Sequence, residues 1–143
     1  MEQVVTGFVN FRKRVFPQHR ALFAELANGQ KPEVLFITCA DSRIDPNLVT
    51  QSNPGDLFII RNAGNIVPPN TRTAGGVTAS IEYAVAVLGV EHIVICGHTH
   101  CGAMHGALNP EGLSGLPHVR DWLELSRAAV EVVKHSHGGP LGK

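Results

Sequence analysis

Three short apolar runs constrain this chain more than any other feature: "VLFITC" (34–39), "LFIIR" (57–61) and "HIVICG" (92–97). Each is β-branched and apolar throughout, without the alternation of a strand that has one wet face. Runs of this kind fit strands buried on both faces of a parallel sheet. Parallel strands need crossover connections, usually helical. Between the second and third runs, "TAGGVTASIEYAVAVLG" puts Val77, Ile81, Ala84, Val85 and Leu88 on one helical face, with Gly89 as a C-terminal stop. The predicted class is therefore α/β, a central mostly parallel β-sheet flanked by helices. Residues 5–28 also read as helical apart from a break at Pro17, and 117–135 as one amphipathic helix starting near Pro117. "NPGD" and "VPPN" mark turns. With 143 residues and no internal repeat or linker, a single domain over 1–143 is expected, with 136–143 as a flexible tail.

Charge narrows the partner. Lys plus Arg and Asp plus Glu are 12 each, so no electrostatic footprint for nucleic acid or an anionic membrane is present. The N-terminal "MEQVVTGFVNFRKRV" lacks a continuous apolar h-region, and no run approaches the roughly 20 apolar residues that span a bilayer. The reading is a soluble, cytoplasmic protein acting on a small molecule. Three cysteines in a chain of this size cannot make a disulfide framework, and spaced thiols in a reducing compartment point to metal binding or catalysis.

The unusual residues stand where the apolar runs end. In open α/β sheets ligands bind at the carboxyl ends of the strands. The first run ends in Cys39 followed by "ADSR", the second in "RNAGN", and the third in "CGHTHCGAM", which contains His98 and Cys101. His98 and Cys101 form an H-x2-C pair in a turn that enters a helix, and Cys39 arrives from the neighbouring strand. Two thiolates and an imidazole suit Zn2+, and three protein ligands with a fourth position open is the pattern of a catalytic rather than a structural zinc. The competing reading of H-x2-C alone is a buried thiol beside a satisfied histidine. Cys96, inside "IVIC", reads as a small core residue, and His100 and His105 as surplus imidazoles without an assigned role. "HSH" at 135–137 reads as a solvated helix end.

These residues carry a resemblance. "CADSRIDP", "PGDLFIIRNAGNIVP", "GGVTASIEYAV" and "CGHTHCGAM" resemble, in order and separation, the successive motifs of the β-class carbonic anhydrases, over about residues 6–125. The resemblance implies zinc held by Cys39, His98 and Cys101, a catalytic dyad of Asp41 and Arg43, and reversible hydration of carbon dioxide to bicarbonate and a proton. It also implies a homodimer or larger homo-oligomer with the substrate pocket at its interface, where Gln30, Phe58 and Tyr83 occupy the family's pocket positions. Physical chemistry agrees with the dyad. Zinc can bring the pKa of a water to about 7, but two thiolates cancel its formal charge, so this site needs help nearby. Asp41, if ionised, can orient that water, and Arg43 can bind the carboxylate through both oxygens, keeping it ionised and off the metal. The plainer reading of "DSR" is a helix N-cap with a surface ion pair. Arg61 reads as structural, tying loops beneath the site.

Two departures qualify the resemblance. Phe36 stands where the bicarbonate-regulated branch has tryptophan, so no regulatory bicarbonate pocket is inferred. The family also continues beyond the helix that ends near 135 into further strand structure, absent here, which leaves residues 92–97 expected at an apolar sheet edge that favours pairing with another chain. Two rival functions remain: a non-catalytic zinc-binding homologue, and a hydrolase of a related heteroallene such as carbon disulfide. A phosphate-binding Rossmann-like domain is disfavoured, because "AGG" and "RNAGN" match neither G-x-G-x-x-G nor the P-loop.

Overall fold

The structure, a computed structural model, describes residues 1–70 and 74–137, and the chain divides into two compact units, Met1–Lys31 and Pro32–Lys143. The expected tail lies largely outside the described residues. In the first unit, α1 (Glu2–Asn10) runs into a wide π turn (Phe11–Val15), a 3-10 turn (Phe16–His19) and then α2 (Arg20–Leu26). Pro17 falls in the 3-10 turn, where a residue without an N–H ends the regular ladder, as expected. Phe11, Phe16 and Phe23 pack around this bend, with Phe16 stacked on Phe23 at 5.2 Å and both in edge contact with Phe11 at 6.2 Å.

The second unit holds the sheet. Its elements are β1 (Val34–Cys39), α3 (Pro46–Thr50), β2 (Leu57–Asn62), α4 (Gly76–Glu82), β3 (His92–Cys96), α5 (Gly102–Leu108), α6 (Pro117–Glu124) and α7 (Arg127–His137). The strand order is β2-β1-β3, all parallel, with Cys39 level with Asn62 and Thr38 level with Cys96. β1 is thus central, and from Leu35 to Cys39 every side chain is buried. Strand alternation puts Leu35, Ile37 and Cys39 on one face. Leu35 and Ile37 pack there with Ile60 and Ala84 against Val77 and Ile81 of α4, while Cys39 belongs to the next cluster along, with Ile44 and Cys101.

β3 behaves differently. Among the described residues it pairs with β1 alone, and Ile93, Val94 and Ile95 are 53%, 40% and 56% exposed. The sequence pattern predicted a buried strand, but the edge position anticipated from the resemblance is what the structure shows.

Two helical expectations are corrected. Val85 is on the expected core face yet half-exposed; it falls in a π turn over Tyr83–Val87, in which Leu88 N–H donates to Tyr83 O, while Ala84 beside it is fully buried against the sheet. The single helix expected over 117–135 is two helices. Leu125 and Ser126 take tight i→i−3 bonds to Trp122 O and Leu123 O, and the Ser126 hydroxyl also donates to Leu123 O, which ends α6 before α7 begins. Among the described residues no helix is long and apolar enough to cross a membrane.

Candidate metal centre

The central strand delivers Cys39, and the loop after β3 delivers His98 and then Cys101, which caps the start of α5. The two sulfurs are 3.9 Å apart, and the ligand atoms of Cys39, His98 and Cys101 all lie within 4.8 Å of one another. Both cysteines are buried, and the His98 ring is 12% exposed. His98 Nδ1 sits 2.9 Å from Thr99 O, so with its proton there the ring presents a bare Nε2 to the thiols. That nitrogen is buried and, among the described residues, has no partner in good hydrogen-bond geometry, although the Cys39 sulfur lies within 4.8 Å of it. A buried imidazole nitrogen without a partner is costly, and a cation among two sulfurs and this nitrogen would satisfy it. The donor set therefore fits a metal ion of the zinc type.

Asp41 stands beside this group, held by Arg43. The guanidinium grips both carboxylate oxygens, Nε to Oδ1 at 2.9 Å and Nη2 to Oδ2 at 2.7 Å, and the Arg43 backbone N–H adds a third bond to Oδ1 at 3.0 Å. Nη2 also donates to the carbonyl of His100, whose left-handed φ of 53° turns that oxygen inward. Asp41 Oδ2 lies 3.8 Å from His98 Nε2, beyond hydrogen-bond reach. His100, given no role from its imidazole, thus acts through its backbone.

The electrostatics follow from these contacts. Hydrogen bonds from the Arg43 side chain and backbone hold the Asp41 carboxyl well below the usual carboxylate range, and the same pairing pushes Arg43 up. Burial pushes the Cys39 thiol up, but the N–H groups of Gly64 and Asp41, together with His98 and Cys101, outweigh it and bring it down to about 7. The Cys39 sulfur raises the His98 pKa against the effect of burial, with Thr99 and Asp41 adding to the rise.

Arg61, on β2, binds three carbonyl oxygens of the loop that carries Cys39, Asp41 and Arg43: Nε to Cys39 O at 3.1 Å, and Nη2 to Asp41 O at 2.7 Å and Ile44 O at 2.9 Å. It ties that loop from beneath. Cys96 lies beside the cluster of Cys39, Ile44 and Cys101, outside the three-ligand group. Phe58 and Tyr83 meet with ring centroids 6.0 Å apart. Phe58, level with Leu35, is four residues from the Cys39 end of the sheet, about 13 Å along the strand. Gln30 is exposed and belongs to the first unit. Sequence reasoning missed Asn62, Gly64 and Trp122. Asn62 closes the turn 62–66 by two bonds to Ile66, and Trp122 Nε1 donates to Ala63 O at 2.8 Å. A glycine between asparagines after a strand was a readable signal for the turn, whereas nothing local points from Trp122 to a residue 59 positions away.

A parallel sheet that gathers two thiols and a bare imidazole nitrogen at its carboxyl edge, with a clamped carboxylate alongside, defines an α/β protein with a site that could hold a metal ion. The chain belongs to the β-carbonic anhydrase family. Residues 34–140 match the family described as carbonic anhydrase. A carbonic anhydrase of Synechococcus elongatus is 52% identical over 140 residues, 97% of this chain and 52% of that protein. One of Pseudomonas aeruginosa is 51% identical over 129 residues, 90% of this chain and 59% of the relative. The solved β-carbonic anhydrase CcaA superposes with a TM-score of 0.94 at 48% identity, covering 99% of this chain and 69% of that one. A tetrameric β-carbonic anhydrase of Sordaria macrospora gives 0.78 at 37% identity over 96% of this chain and 65% of its own. The chain spans about half the length of the first two curated relatives it matches.

Proposed function

We propose that this chain carries the catalytic centre of a carbonic anhydrase, a lyase that reversibly hydrates carbon dioxide to bicarbonate and a proton. The observation that carries the reading is the bare, buried Nε2 of His98 facing two thiols, beside a carboxylate held by Arg43. Cys39, His98 and Cys101 would hold zinc, which when bound supplies an acidified water as the nucleophile for the carbon of CO2. Asp41 stays ionised at neutral pH, so an oxygen of its carboxylate could accept a hydrogen bond from that water and orient it toward the substrate. Arg43 restrains Asp41 through both oxygens and keeps it from becoming a fourth ligand. Arg61 and the His100 carbonyl hold the segment from Cys39 to Ile44, so the pair keeps its position relative to the ligands.

The protein is read as cytoplasmic and as a homodimer or larger homo-oligomer. The exposed apolar edge at β3 supports association, as does the similarity to a tetrameric relative. Gln30, Phe58 and Tyr83 are assigned to the wall of a partner copy's substrate pocket, which the distance of Phe58 from its own metal centre favours. Stopped-flow CO2 hydration on zinc-loaded protein, with light scattering over a hundredfold dilution, tests both statements. Hydration that falls as the assembly dissociates is expected. One zinc per chain without hydration would overturn the catalytic reading, and a fully active monomer would overturn the shared pocket.

A further inference from the structure

The turn that follows β2 touches the metal centre at one atom, and its construction is unusually complete. Gly64 N–H points at the sulfur of Cys39, 3.4 Å away. Gly64 takes a left-handed φ of 80° there, and a Cβ would come within 2.5 Å of Met104 Cε and 3.1 Å of Ala103 Cβ. Three side-chain hydrogen bonds fix this conformation. Asn62 closes the turn, its Oδ1 accepting from Ile66 N–H at 2.8 Å and its Nδ2 donating to Ile66 O at 3.0 Å. From α6, Trp122 Nε1 donates to Ala63 O at 2.8 Å, the carbonyl of the very peptide whose N–H belongs to Gly64. A hydrogen bond accepted at one end of a peptide polarises it and strengthens donation from the other end. The indole thus acts on the sulfur through one peptide unit.

We propose that the 62–66 turn with Trp122 is a positioning and tuning device for the metal centre, in which the Trp122-polarised Ala63–Gly64 peptide donates its N–H to the Cys39 thiolate. This rests on Cys39 being a metal ligand. A thiolate that accepts an N–H gives less charge to its metal, so the device offsets part of the charge that two thiolates would donate and leaves the metal a stronger Lewis acid. Outer partners of this kind typically contribute 10–100-fold to metal affinity or activity. Trp122 is accordingly a positioning residue and touches neither substrate nor metal.

The test loads the full chain with an NMR-active cadmium isotope, and separately with cobalt. In the unaltered protein a scalar coupling is expected between cadmium and the Gly64 amide proton, transmitted through the N–H···S bond. Trp122→Phe keeps an aromatic ring but removes the donor. It should shrink the coupling, move the sulfur-to-cobalt charge-transfer band to lower energy as the thiolate becomes the stronger electron donor, and change zinc affinity in chelator competition by about tenfold. Metal bound by Cys39, His98 and Cys101 with no Gly64 coupling would overturn this proposal and leave the ligand assignment standing. A coupling, band and affinity unchanged in Trp122→Phe would overturn the role of the indole. A protein that takes up none of the three metals would overturn both this proposal and the metal-centre reading.

Discussion

β1 and β3 look alike as sequence, and they part company in the structure. "VLFITC" and "HIVIC" are both apolar and β-branched, and they pair with each other in parallel register. Yet Leu35 and Ile37 are 0% and 1% exposed, while Ile93 and Ile95 are more than half exposed. Among the described residues β1 has a strand neighbour on each side and β3 has one, but β2 also has one and its Ile60 is only 7% exposed, because Val77 and Ile81 of α4 pack on the cluster of Leu35, Ile37 and Ile60. The site draws on both: the segment after β1 brings Cys39, Asp41 and Arg43, and the loop after β3 brings His98 and Cys101. One half of the centre is anchored to a packed strand. The other half is held by α5 and by contacts that cross between the loops, such as Arg43 to the His100 carbonyl.

The comparison breaks most sharply at the ligands themselves. Cys39→Ser, from the packed side, and His98→Ala, from the edge side, should each lose the bound metal and with it all hydration. Metal analysis showing full retention in either variant would remove that residue from the ligand set. Next in size is Arg43→Ala, which should leave zinc bound but lower CO2 hydration by at least about 100-fold, because a freed Asp41 can take the open position. Unchanged hydration would show that the two loops need no such tie.

Stability separates the strands themselves. Ile37→Ala removes a fully buried side chain and should cost about 2–5 kcal/mol in denaturant unfolding. Ile95→Ala, at a residue 56% exposed, should stay within about 0.5 kcal/mol. Equal losses would mean that β3 is covered in solution by another chain. The smallest effect is a titration. Because Arg43 depresses the Asp41 pKa in the folded chain, the pair contributes stability that is present above the ordinary aspartate value of about 4 and is lost as pH falls through the lower folded value. In metal-free protein, carbon NMR should find Asp41 still ionised near pH 3 in the unaltered chain and titrating at about the ordinary aspartate value of 4 in Arg43→Ala. Ordinary titration in the unaltered chain would show that the clamp is open in solution.

What could be read beforehand was local or repetitive. The bounds of β1 were legible to the residue, β2 proved one residue longer and β3 one shorter than their apolar runs, and the convergence of Cys39, His98 and Cys101 followed from strands that share a carboxyl edge. The interruption of the last helix at Ser126 was not legible, because Leu125 and Ser126 interrupt no apolar period and the break lies in a hydroxyl competing for Leu123 O. Nor was the exposure of Val85, which falls within a single wide turn.

By itself the sequence determined the α/β class, the parallel strands and the chemistry available at their ends, because periodicity and donor type belong to the residues. The tertiary structure alone decided which groups meet: that Arg43 reaches a backbone carbonyl 57 residues away, that Arg61 gathers three carbonyls, and that Trp122 bonds to the peptide behind Gly64. The physical reason is the same in each case. A backbone carbonyl has the same chemistry at every residue, so only the folded path of the chain selects which one a distant donor will find.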